Sequence, residues 1–546
     1  MADMKNRIIT LSLFGLLLLG SSCKKFLETT PKDFLSPDNY FRNEAEVKSA
    51  LAGVYVTLGS EFTYGRHMVV DGAMDDLGYW NQSEVNIIDR LASWNYTSAQ
   101  PQIMMMWQRL YEGIERANVL LENIDKAEMS EAGKAKYIGE IRFLRAYYHY
   151  LLIDLWGDIP VRLTSNQTVT DVTIPQTTQR EVLQMVVTEM EEVINNNSLE
   201  AASVYSHSSR VSITVAEAIL ARIYLKMAGE PLKIAGSYEK ALFWATKVKD
   251  SGLHKLNPNY DEIFTNHSKN LFETQYRESM WEADFTGNPT TDPGKSDKYS
   301  WIGVTNGIIC YDESDALGYS YGYIRIRLKL WDLFEETDKR KYRSIAPHRY
   351  NVTNGQPFNQ KLTTFTAIAD RCSAKWRREE ETLRPKVKNN NETNFPIIRY
   401  SDVLLMIAEA ENEINGASNI ALAAINEVRA RAGVRPYATT SGTSVITITG
   451  QDDLRQAIRD ERARELCFEG IRKHDLIRWG IFEQAMQQAA AEPFLSANTA
   501  TGRTASAQQR TTMAAIASKM TEKYRLFPIP QKEMNLNNKM KQNRFW

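Results

Sequence analysis

This chain of 546 residues has no excess of charge of either sign, because it contains 66 Lys and Arg and 67 Asp and Glu. Proteins that bind nucleic acid generally need a basic surplus to meet the phosphates, so the balance argues against a nucleic-acid partner. Cysteine is also scarce, and four residues in a chain of this length exclude a disulfide framework. With 43% apolar residues the chain is not disordered, and it is long enough to bury a large core.

The motifs of common hydrolases are missing as well. None of the seven His forms an HExxH zinc motif, no Ser lies in a GxSxG turn, and no glycine-rich phosphate loop is present. Cys310, Cys372 and Cys467 form no CxxC metal pattern, and their spacing does not decide whether two of them form a disulfide. The adjacent Asp75 and Asp76 would point apart in an extended loop, whereas a glycosidase needs two carboxylates flanking one bond. We therefore expect that the protein is not an enzyme and that it has neither a metal site nor a cofactor.

Only one segment is long and apolar, and it lies at the N-terminus. Lys5 and Arg7 precede about a dozen mostly apolar residues, too few to span a hydrocarbon core of about 30 Å. Small residues and then Cys23 follow, so residues 1–22 are predicted to be an export signal. The pattern resembles a bacterial lipoprotein signal, in which the Cys is lipidated, although Gly20 stands where such signals usually have Leu. No later segment has the pattern of a membrane span.

Helical periodicity dominates most of the remaining sequence. Two pairs of predicted helices, 216–227 with 238–249 and 402–413 with 420–431, are joined by short breaks and have the length of tetratricopeptide units. Between the pairs, residues 250–396 show little helical period, and short strands are predicted within 340–366. Apolar residues three and four positions apart predict helices over 107–121, 137–155, 178–195, 212–228, 237–250, 401–415, 418–432, 452–469 and 471–488.

Several sequence blocks, in a fixed order along nearly the whole chain, carry a resemblance to one family. They start at Cys23-Lys-Lys-Phe26 and end with Gln542-Asn543. Between these lie Trp107-x-x-x-Tyr111-x-x-Ile114-x-x-Ala117-Asn118, Glu140-Ile-Arg142-Phe143-Leu144-Arg145-Ala146-Tyr147-Tyr148, Trp156-Gly157-Asp158-Ile159-Pro160, Arg399-Tyr400-Ser401-Asp402, Arg464-Glu465-Leu466-Cys467-Phe468-Glu469-Gly470, Arg478-Trp479-Gly480 and Leu526-Phe527-Pro528-Ile529-Pro530. Together the blocks resemble the SusD/RagB family of outer-membrane lipoproteins.

The resemblance implies a mainly α fold, with tetratricopeptide-like helix pairs as scaffold and a large irregular, loop-rich subdomain. It implies a signal peptide over 1–22, a helical region over 23–250 and a region with the loop-rich ligand face over 251–546. It further implies a cell-surface lipoprotein of the outer membrane, held only by a lipid on Cys23. Such a protein binds glycans and delivers them to a SusC-like TonB-dependent transporter, without catalysis. Members of the RagB branch capture peptides, so a peptide ligand is the alternative.

The charged residues of these blocks are predicted to have structural roles. Charged residues three or four positions apart on helices usually form ion pairs or solvated faces rather than catalytic sites. The residues concerned are Arg399, Arg464, Glu465, Glu469 and Arg472.

Two segments, 71–96 and 281–323, have the composition of a sugar-binding site. Sugar rings have apolar C–H faces and many hydroxyls, so a site needs flat aromatic rings beside amides and charged groups. Both segments carry such residues outside helical phase. The predicted ligand-binding residues are Asp71, Asp75, Tyr79, Trp80, Asn81, Trp94, Trp301, Tyr319, Tyr321 and Tyr323. The alternative interpretation for each ring is that it packs beneath its own loop.

The variant Cys23→Ala tests the predicted anchor. Without the thiol no acyl chain can be attached, so we expect the protein to move from the membrane fraction to the soluble fraction after cell lysis. Cys467→Ala, in a predicted helix, is the control and should stay with the membrane. Retention of the Cys23 variant in the membrane contradicts the anchor. Lys24 and Lys25 stand where surface-exposed family members often carry acidic residues, so protease treatment of intact cells decides the leaflet.

Overall fold

The computed structural model describes residues 40–72, 74–81, 87–166, 173–285, 287, 299–311, 316–350, 361–362, 367–495 and 507–546. Within these ranges the fold is mainly helical, as predicted. Cys23 and the predicted signal peptide lie outside the described residues.

The helices vary from single turns to the 26 residues of α5. In chain order they are α1 Glu44–Tyr55, α2 His67–Gly72, α3 Ile87–Ala92, α4 Pro101–Asn123, α5 Glu131–Trp156, α6 Gln179–Asn195, α7 Ile213–Ala228, α8 Ser237–Asp250, α9 Tyr260–Ser268, α10 Ile302–Thr305, α11 Leu328–Leu333, α12 Lys341–Ser344, α13 Tyr400–Asn415, α14 Asn419–Ala432, α15 Gln451–Leu466, α16 Arg472–Arg478, α17 Phe482–Leu495, α18 Ala507–Ser518 and α19 Gln531–Leu536. Short 3₁₀ helices are Ile124–Lys126, Ala202–Val204, Ile368–Asp370, Arg378–Glu380 and Glu522–Arg525.

The strands are short and occur in pairs. They are β1 Gly78–Trp80, β2 Ser279–Ala283, β3 Ile324–Ile326, β4 Arg349–Tyr350, β5 Lys361–Leu362, β6 Phe395–Arg399, β7 Tyr437–Ala438 and β8 Ile446–Thr447. The pairs β1–β3, β2–β6 and β4–β5 are antiparallel, and β7–β8 is parallel. The strands predicted within 340–366 are therefore confirmed as β4 and β5. The pairs β1–β3 and β2–β6 join parts of the chain that are far apart in sequence.

The long helices form one continuous stack. In the series α4, α5, α6, α7 and α8, each helix packs against the one that follows it in the series. The last of them, α8, packs against α13, and α13 packs against both α14 and α15. The two helix pairs predicted from the sequence, α7–α8 and α13–α14, thus stack directly although residues 251–399 separate them. This arrangement lets each helix bury its apolar face against a neighbour.

Single residues determine where several of these helices begin and end. The side chain of Ser130 caps α5 by accepting from the N–H of Gly133, and the helix ends at Gly157, whose φ of 77° favours glycine. Helix α6 begins with a capping box, in which Thr178 and Glu181 satisfy each other's backbone N–H groups.

Three features of the helices differ from the sequence prediction. The predicted helix 471–488 is two helices, α16 and α17, because Gly480 between them takes a φ of 69°. The predicted helix 452–469 ends early, because the chain turns at Phe468, which has a φ of 66°. Helix α18 lies within 491–520, where no strong pattern indicates a helix.

One apolar core extends through both predicted regions, 23–250 and 251–546. Its buried residues run from Phe41, just before α1, to Met540, after α19. Cys467 also lies in this core. The boundary at residue 250 stays a prediction. In the described part of the chain, every helix is either too short or too polar to cross a bilayer.

Charged residues of the sequence blocks lie inside this core as ion pairs. The carboxylate of Glu465 is fully buried and accepts hydrogen bonds from Arg399 at 2.9 Å, Arg431 at 2.6 Å and Arg340 at 3.0 Å. Arg399 also contacts the carboxylate of Glu469 at 2.8 Å. The prediction of ion pairs is therefore confirmed, and these residues are enclosed by the core rather than solvated.

One turn before Glu465 on α15, Glu461 forms the second centre of this network. Its carboxylate contacts Arg340 at 2.7 Å, Arg429 at 2.8 Å and Arg464 at 2.7 Å. Burial alone would raise the pKa of Glu461, but the three guanidinium groups outweigh it and lower the pKa from 4.5 to about 2. Glu461 is therefore charged in the folded protein at any pH near neutrality.

This pKa predicts a loss of stability in acid. Because the folded pKa of Glu461 lies below its ordinary value, its stabilisation is complete above pH 4.5 and disappears as the pH falls to about 2. Glu461→Gln leaves buried guanidinium groups short of a charge, so we expect the free energy of unfolding at pH 7 to fall by about 3–5 kcal/mol. Urea unfolding at pH 7 and pH 3 measures both effects. The difference in the free energy of unfolding between the wild type and Glu461→Gln should be smaller at pH 3 than at pH 7.

The exposed Glu239 on α8 provides the control, since Glu239→Gln should leave the free energy of unfolding unchanged at both pH values. A deficit for the Glu461 variant that is as large at pH 3 as at pH 7 contradicts the assigned ion pairs.

Candidate functional site

Strands β1 and β3 bring the two predicted ligand-binding segments, 71–96 and 281–323, into contact. The strands run antiparallel, and Trp80 is the last residue of β1. Beyond it, the backbone N–H of Asn81 donates to the carbonyl oxygen of Tyr323 at 3.0 Å. Two segments far apart in the sequence therefore share one small sheet, and the residues around that sheet are the candidate site.

Most of the residues predicted from the first segment lie inside the protein. Four of them are at most 2% exposed: Asp75, Tyr79, Trp80 and Trp94. In this conformation they offer no surface to a ligand, so we regard them as support for the site, and direct ligand contact stays a prediction for them. Asn81 is half-buried at the end of β1. The side chain of Asp71 lies outside the described residues.

The buried rings point in different directions. The ring of Trp80 lies 4.7 Å from that of Tyr323 and so connects the first segment to the second. Tyr79 points to the opposite face, as alternate residues of a strand do, and packs against α18. Trp94 packs against Tyr524 at 5.6 Å, near the end of the chain. Of the three rings, Trp80 is the one in contact with the second segment.

The adjacent acids Asp75 and Asp76 have different environments. Asp76 forms ion pairs with Arg472 at 2.8 Å and Lys329 at 2.5 Å. Asp75 accepts from the backbone N–H of Leu77 at 2.7 Å and has no ion pair to a described residue. Burial, and next the charge of Asp76, raises the pKa of Asp75 to about 7. Both acids are enclosed, so they fasten this loop from within the fold.

Four residues of the second segment, Tyr311, Tyr319, Tyr321 and Tyr323, form a row of rings that we call the tyrosine ladder. Neighbouring ring centroids lie 5.7, 4.8 and 4.6 Å apart, and the last two rings are parallel to within 14°. Trp80 closes the inner end. Tyr311 at the outer end is 48% exposed, and the other three are half-buried. The ladder therefore extends from the core to the surface.

The alternation of the sequence accounts for the ladder. Tyr319, Tyr321 and Tyr323 are two positions apart, so their side chains share one face of an extended chain. The backbone N–H of Tyr321 donates to the carbonyl oxygen of Val304 at 2.9 Å, which fixes the chain against α10. Gly322 has a φ of 54°, and a Cβ there would come within 2.6 Å of a neighbouring side chain. The close approach of this segment to Ile309 therefore requires glycine at position 322.

A third segment, which the sequence analysis did not single out, contributes polar groups beside the ladder. The Nζ atom of Lys388 lies 4.6 Å from the ring centroid of Tyr319. The hydroxyl of Tyr321 donates to Oδ1 of Asn389 at 3.1 Å. The signal for this segment was present, because residues 386–391 contain two Lys and then three consecutive Asn in a loop.

Arg378 holds the ladder and this polar segment together. It is 2% exposed, and its guanidinium donates to the carbonyl oxygens of Tyr319 at 2.8 Å, Val387 at 2.9 Å and Asn390 at 3.1 Å. Its charge is paired with Glu381 at 3.0 Å. Because a guanidinium presents its donors in a rigid plane, Arg378 sets the distance between the two loops.

Trp301 is the remaining predicted residue, and it is half-buried directly before α10. The guanidinium carbon of Arg66 lies 3.9 Å from the centroid of its ring. Its backbone N–H donates to the carbonyl oxygen of Gly65 at 2.9 Å. Trp301 is thereby attached to the loop between α1 and α2. It also directly precedes α10, the short helix whose backbone supports the ladder.

The arrangement combines flat rings with amide, ammonium and hydroxyl groups at their edges. Such a surface suits a ligand that has apolar C–H faces and many hydroxyls. Among the residues described, no group of three or more His, Cys, Asp and Glu is placed to hold a metal ion.

Two family models match the chain, and together they cover most of it. One is described as the SusD family and matches residues 277–546, and the other, described as starch-binding associating with outer membrane, matches residues 25–225. The chain belongs to the SusD/RagB family. The resemblance predicted from the sequence blocks is confirmed.

Individual SusD relatives align along most of their length. SusD-like protein P25 of Formosa agariphila is 25% identical over 510 residues, which cover 85% of this chain and 88% of that protein. The starch-binding protein SusD of Bacteroides thetaiotaomicron is 23% identical over 439 residues, 74% of each chain. The crystal structure of a SusD homolog from Bacteroides thetaiotaomicron has a TM-score of 0.82 at 26% identity and covers 93% of this chain and 98% of its own. The SusD-like fold is thus confirmed, and the starch-binding relative is named for binding rather than for catalysis.

The raised pKa of Asp75 predicts that its charge destabilises the fold at high pH. The free-energy cost of burying the charged carboxylate of Asp75 is absent below pH 3.8. It grows as the pH rises to about 7 and is constant above that. Asp75→Asn keeps an oxygen to accept from Leu77 and removes the charge. We therefore expect its melting temperature to exceed that of the wild type by roughly 1–4 °C at pH 8, with little difference at pH 4.

Asp76→Asn is the matched control, because Asp76 is the neighbouring acid but is ion-paired. It should lower the melting temperature at pH 8. Equal melting temperatures of the wild type and Asp75→Asn at pH 8 would contradict an unpaired buried carboxylate at Asp75.

Proposed function

We propose that the protein is a lipoprotein at the cell surface, anchored in the outer membrane by Cys23, that captures glycans on the tyrosine ladder. It delivers them to a SusC-like TonB-dependent transporter. Its role is binding, and the chemistry of glycan cleavage belongs to other proteins.

The tyrosine ladder is the observation that carries this proposal. Its rings extend from the buried Trp80 to the exposed Tyr311, so a chain of sugar rings could lie along it with C–H faces against the tyrosines. Lys388 and Asn389 stand at its edge, where they can meet hydroxyl groups. The ladder and its edge come from different loops that Arg378 joins, which makes the surface preformed and lowers the entropic cost of binding.

The relatives support the class of ligand and the location. One matching family model is described as starch-binding associating with outer membrane, and the SusD relative from Bacteroides thetaiotaomicron is named as a starch-binding protein. A polysaccharide ligand and attachment to the outer membrane are therefore the proposals most consistent with the family.

Tyr321→Ala tests the ladder, because Tyr321 contacts both neighbouring rings and Asn389. Titration calorimetry against a panel of soluble polysaccharides should identify a glycan that the wild type binds. We expect the variant to bind that glycan at least about tenfold more weakly, as for a central aromatic residue of an interface. Phe243→Ala on α8 is the control, since Phe243 is an exposed aromatic residue on a different element.

Equal affinity of Tyr321→Ala and the wild type would show that glycans bind elsewhere on the protein. If no glycan of the panel binds but short peptides do, the ligand is a peptide, and the RagB-like alternative replaces the glycan.

Delivery to a transporter is tested by isolating the anchored protein from detergent-solubilised membranes and identifying the proteins that co-purify. We expect a TonB-dependent transporter among them. Its absence after chemical cross-linking of intact cells would contradict delivery.

A further inference from the structure

A small pocket, partly open to solvent, lies where helices from the two halves of the chain meet, away from the tyrosine ladder. It has a volume of about 90 Å³. Its walls come from α5 and α7 of the first half and from β6, α13 and α16 of the second, and its lining includes Tyr150, Asp154, Lys226 and His474. Most apolar cavities stay dry, so the polar lining decides what this one holds.

Tyr150 on α5 faces this cavity with an unused hydroxyl. The residue is 5% exposed, and its hydroxyl forms no hydrogen bond to a described residue. The hydroxyls of its neighbours Tyr147 and Tyr148 do have partners, Tyr64 and the carbonyl oxygen of Val54. Burial raises the pKa of Tyr150 well above its usual range, so the group keeps its proton and needs an acceptor.

Two further groups around the cavity have unused hydrogen-bonding capacity. His474 on α16 contacts Oδ2 of Asp154 through Nδ1 at 3.0 Å, and its Nε2 has no partner among the described residues. Lys226 on α7 donates to Oδ1 of Asp154 at 2.5 Å, which uses one of the three N–H groups of its ammonium. Three polar groups on three different helices therefore converge on one space.

We propose that this cavity is a hydration site, which binds a cluster of ordered water molecules that connect Tyr150 of α5, Lys226 of α7 and His474 of α16. A volume of about 90 Å³ corresponds to about three waters. Water of this kind removes the free-energy cost of leaving buried donors and acceptors without hydrogen bonds. It adds to the direct contacts by which Asp154 of α5 already joins His474 of α16 and Lys226 of α7.

An ion, the other occupant that a polar pocket can take, is disfavoured by the charges around it. The charges around it are already paired: Asp402 with Arg222 and Arg462, and Asp475 with Arg462 and Arg478. Asp154 is likewise paired with Lys226. The lining therefore carries little unpaired charge to attract an ion.

The sign of one melting-temperature change tests the proposal. If waters accept from the hydroxyl of Tyr150, then Tyr150→Phe loses a hydrogen bond and lowers the melting temperature by roughly 1–2 °C. If the hydroxyl has no partner at all, the same change removes an unsatisfied group, and the melting temperature stays constant or rises, which would overturn the proposal. Tyr148→Phe on the same helix calibrates the measurement, because its hydroxyl donates to Val54 at 2.7 Å and its loss should lower the melting temperature.

A crystal structure of the wild-type protein at about 1.5 Å provides a second measurement that does not depend on a variant. We expect density for two or more waters, with one within hydrogen-bond distance of the Tyr150 hydroxyl and one near Nε2 of His474. A cavity without density, or density for a larger solute or an ion, would overturn the assignment to water.

Discussion

The buried carboxylate of Glu465 is the constraint on which the C-terminal half depends. A charge removed from water is tolerated only when partners surround it. Arg399 at the end of β6, Arg431 on α14 and Arg340 before α12 all converge on it. None of these elements can move without leaving a buried charge unpaired. Since apolar residues can replace buried ion pairs without loss of stability, we interpret the network as selecting one arrangement of helices rather than as a large source of stability.

The same region positions the candidate site. Where α15 ends, the carbonyl oxygen of Phe468 accepts from the side chain of Asn306, beside the loop that supports the tyrosine ladder. Four residues later, Arg472 is paired with Asp76, directly before β1. The two segments of the site are thus both attached, through Asp76 and Asn306, to the chain between the end of α15 and the start of α16. A rigid scaffold that carries binding loops in this way is the common arrangement in binding proteins.

Sequence reasoning identified the helices and their pairing because periodicity is a local signal. It also selected both segments of the site and the tyrosines at positions 319, 321 and 323. It did not separate surface rings from buried ones, because the depth of Trp80 and Trp94 depends on distant segments that cover them, Tyr323 and Tyr524. Lys388 and Asn389 were missed for the same reason, because contacts with distant residues such as Arg378 and Tyr321 place their loop beside the ladder. The break at Gly480 shows the limit for helices, since apolar spacing continues through a residue whose φ ends the helix.

The packing of α8 against α13 has a consequence for how the chain acquires its fold. Residues 251–399 lie between the two helices, so α8 emerges from the ribosome about 7–30 s before its partner at ordinary rates of synthesis. During that interval its apolar face is uncovered, and the contact that finally covers it is of the non-local kind that forms slowly. Completion of the helical stack is therefore a late event in the folding of this chain.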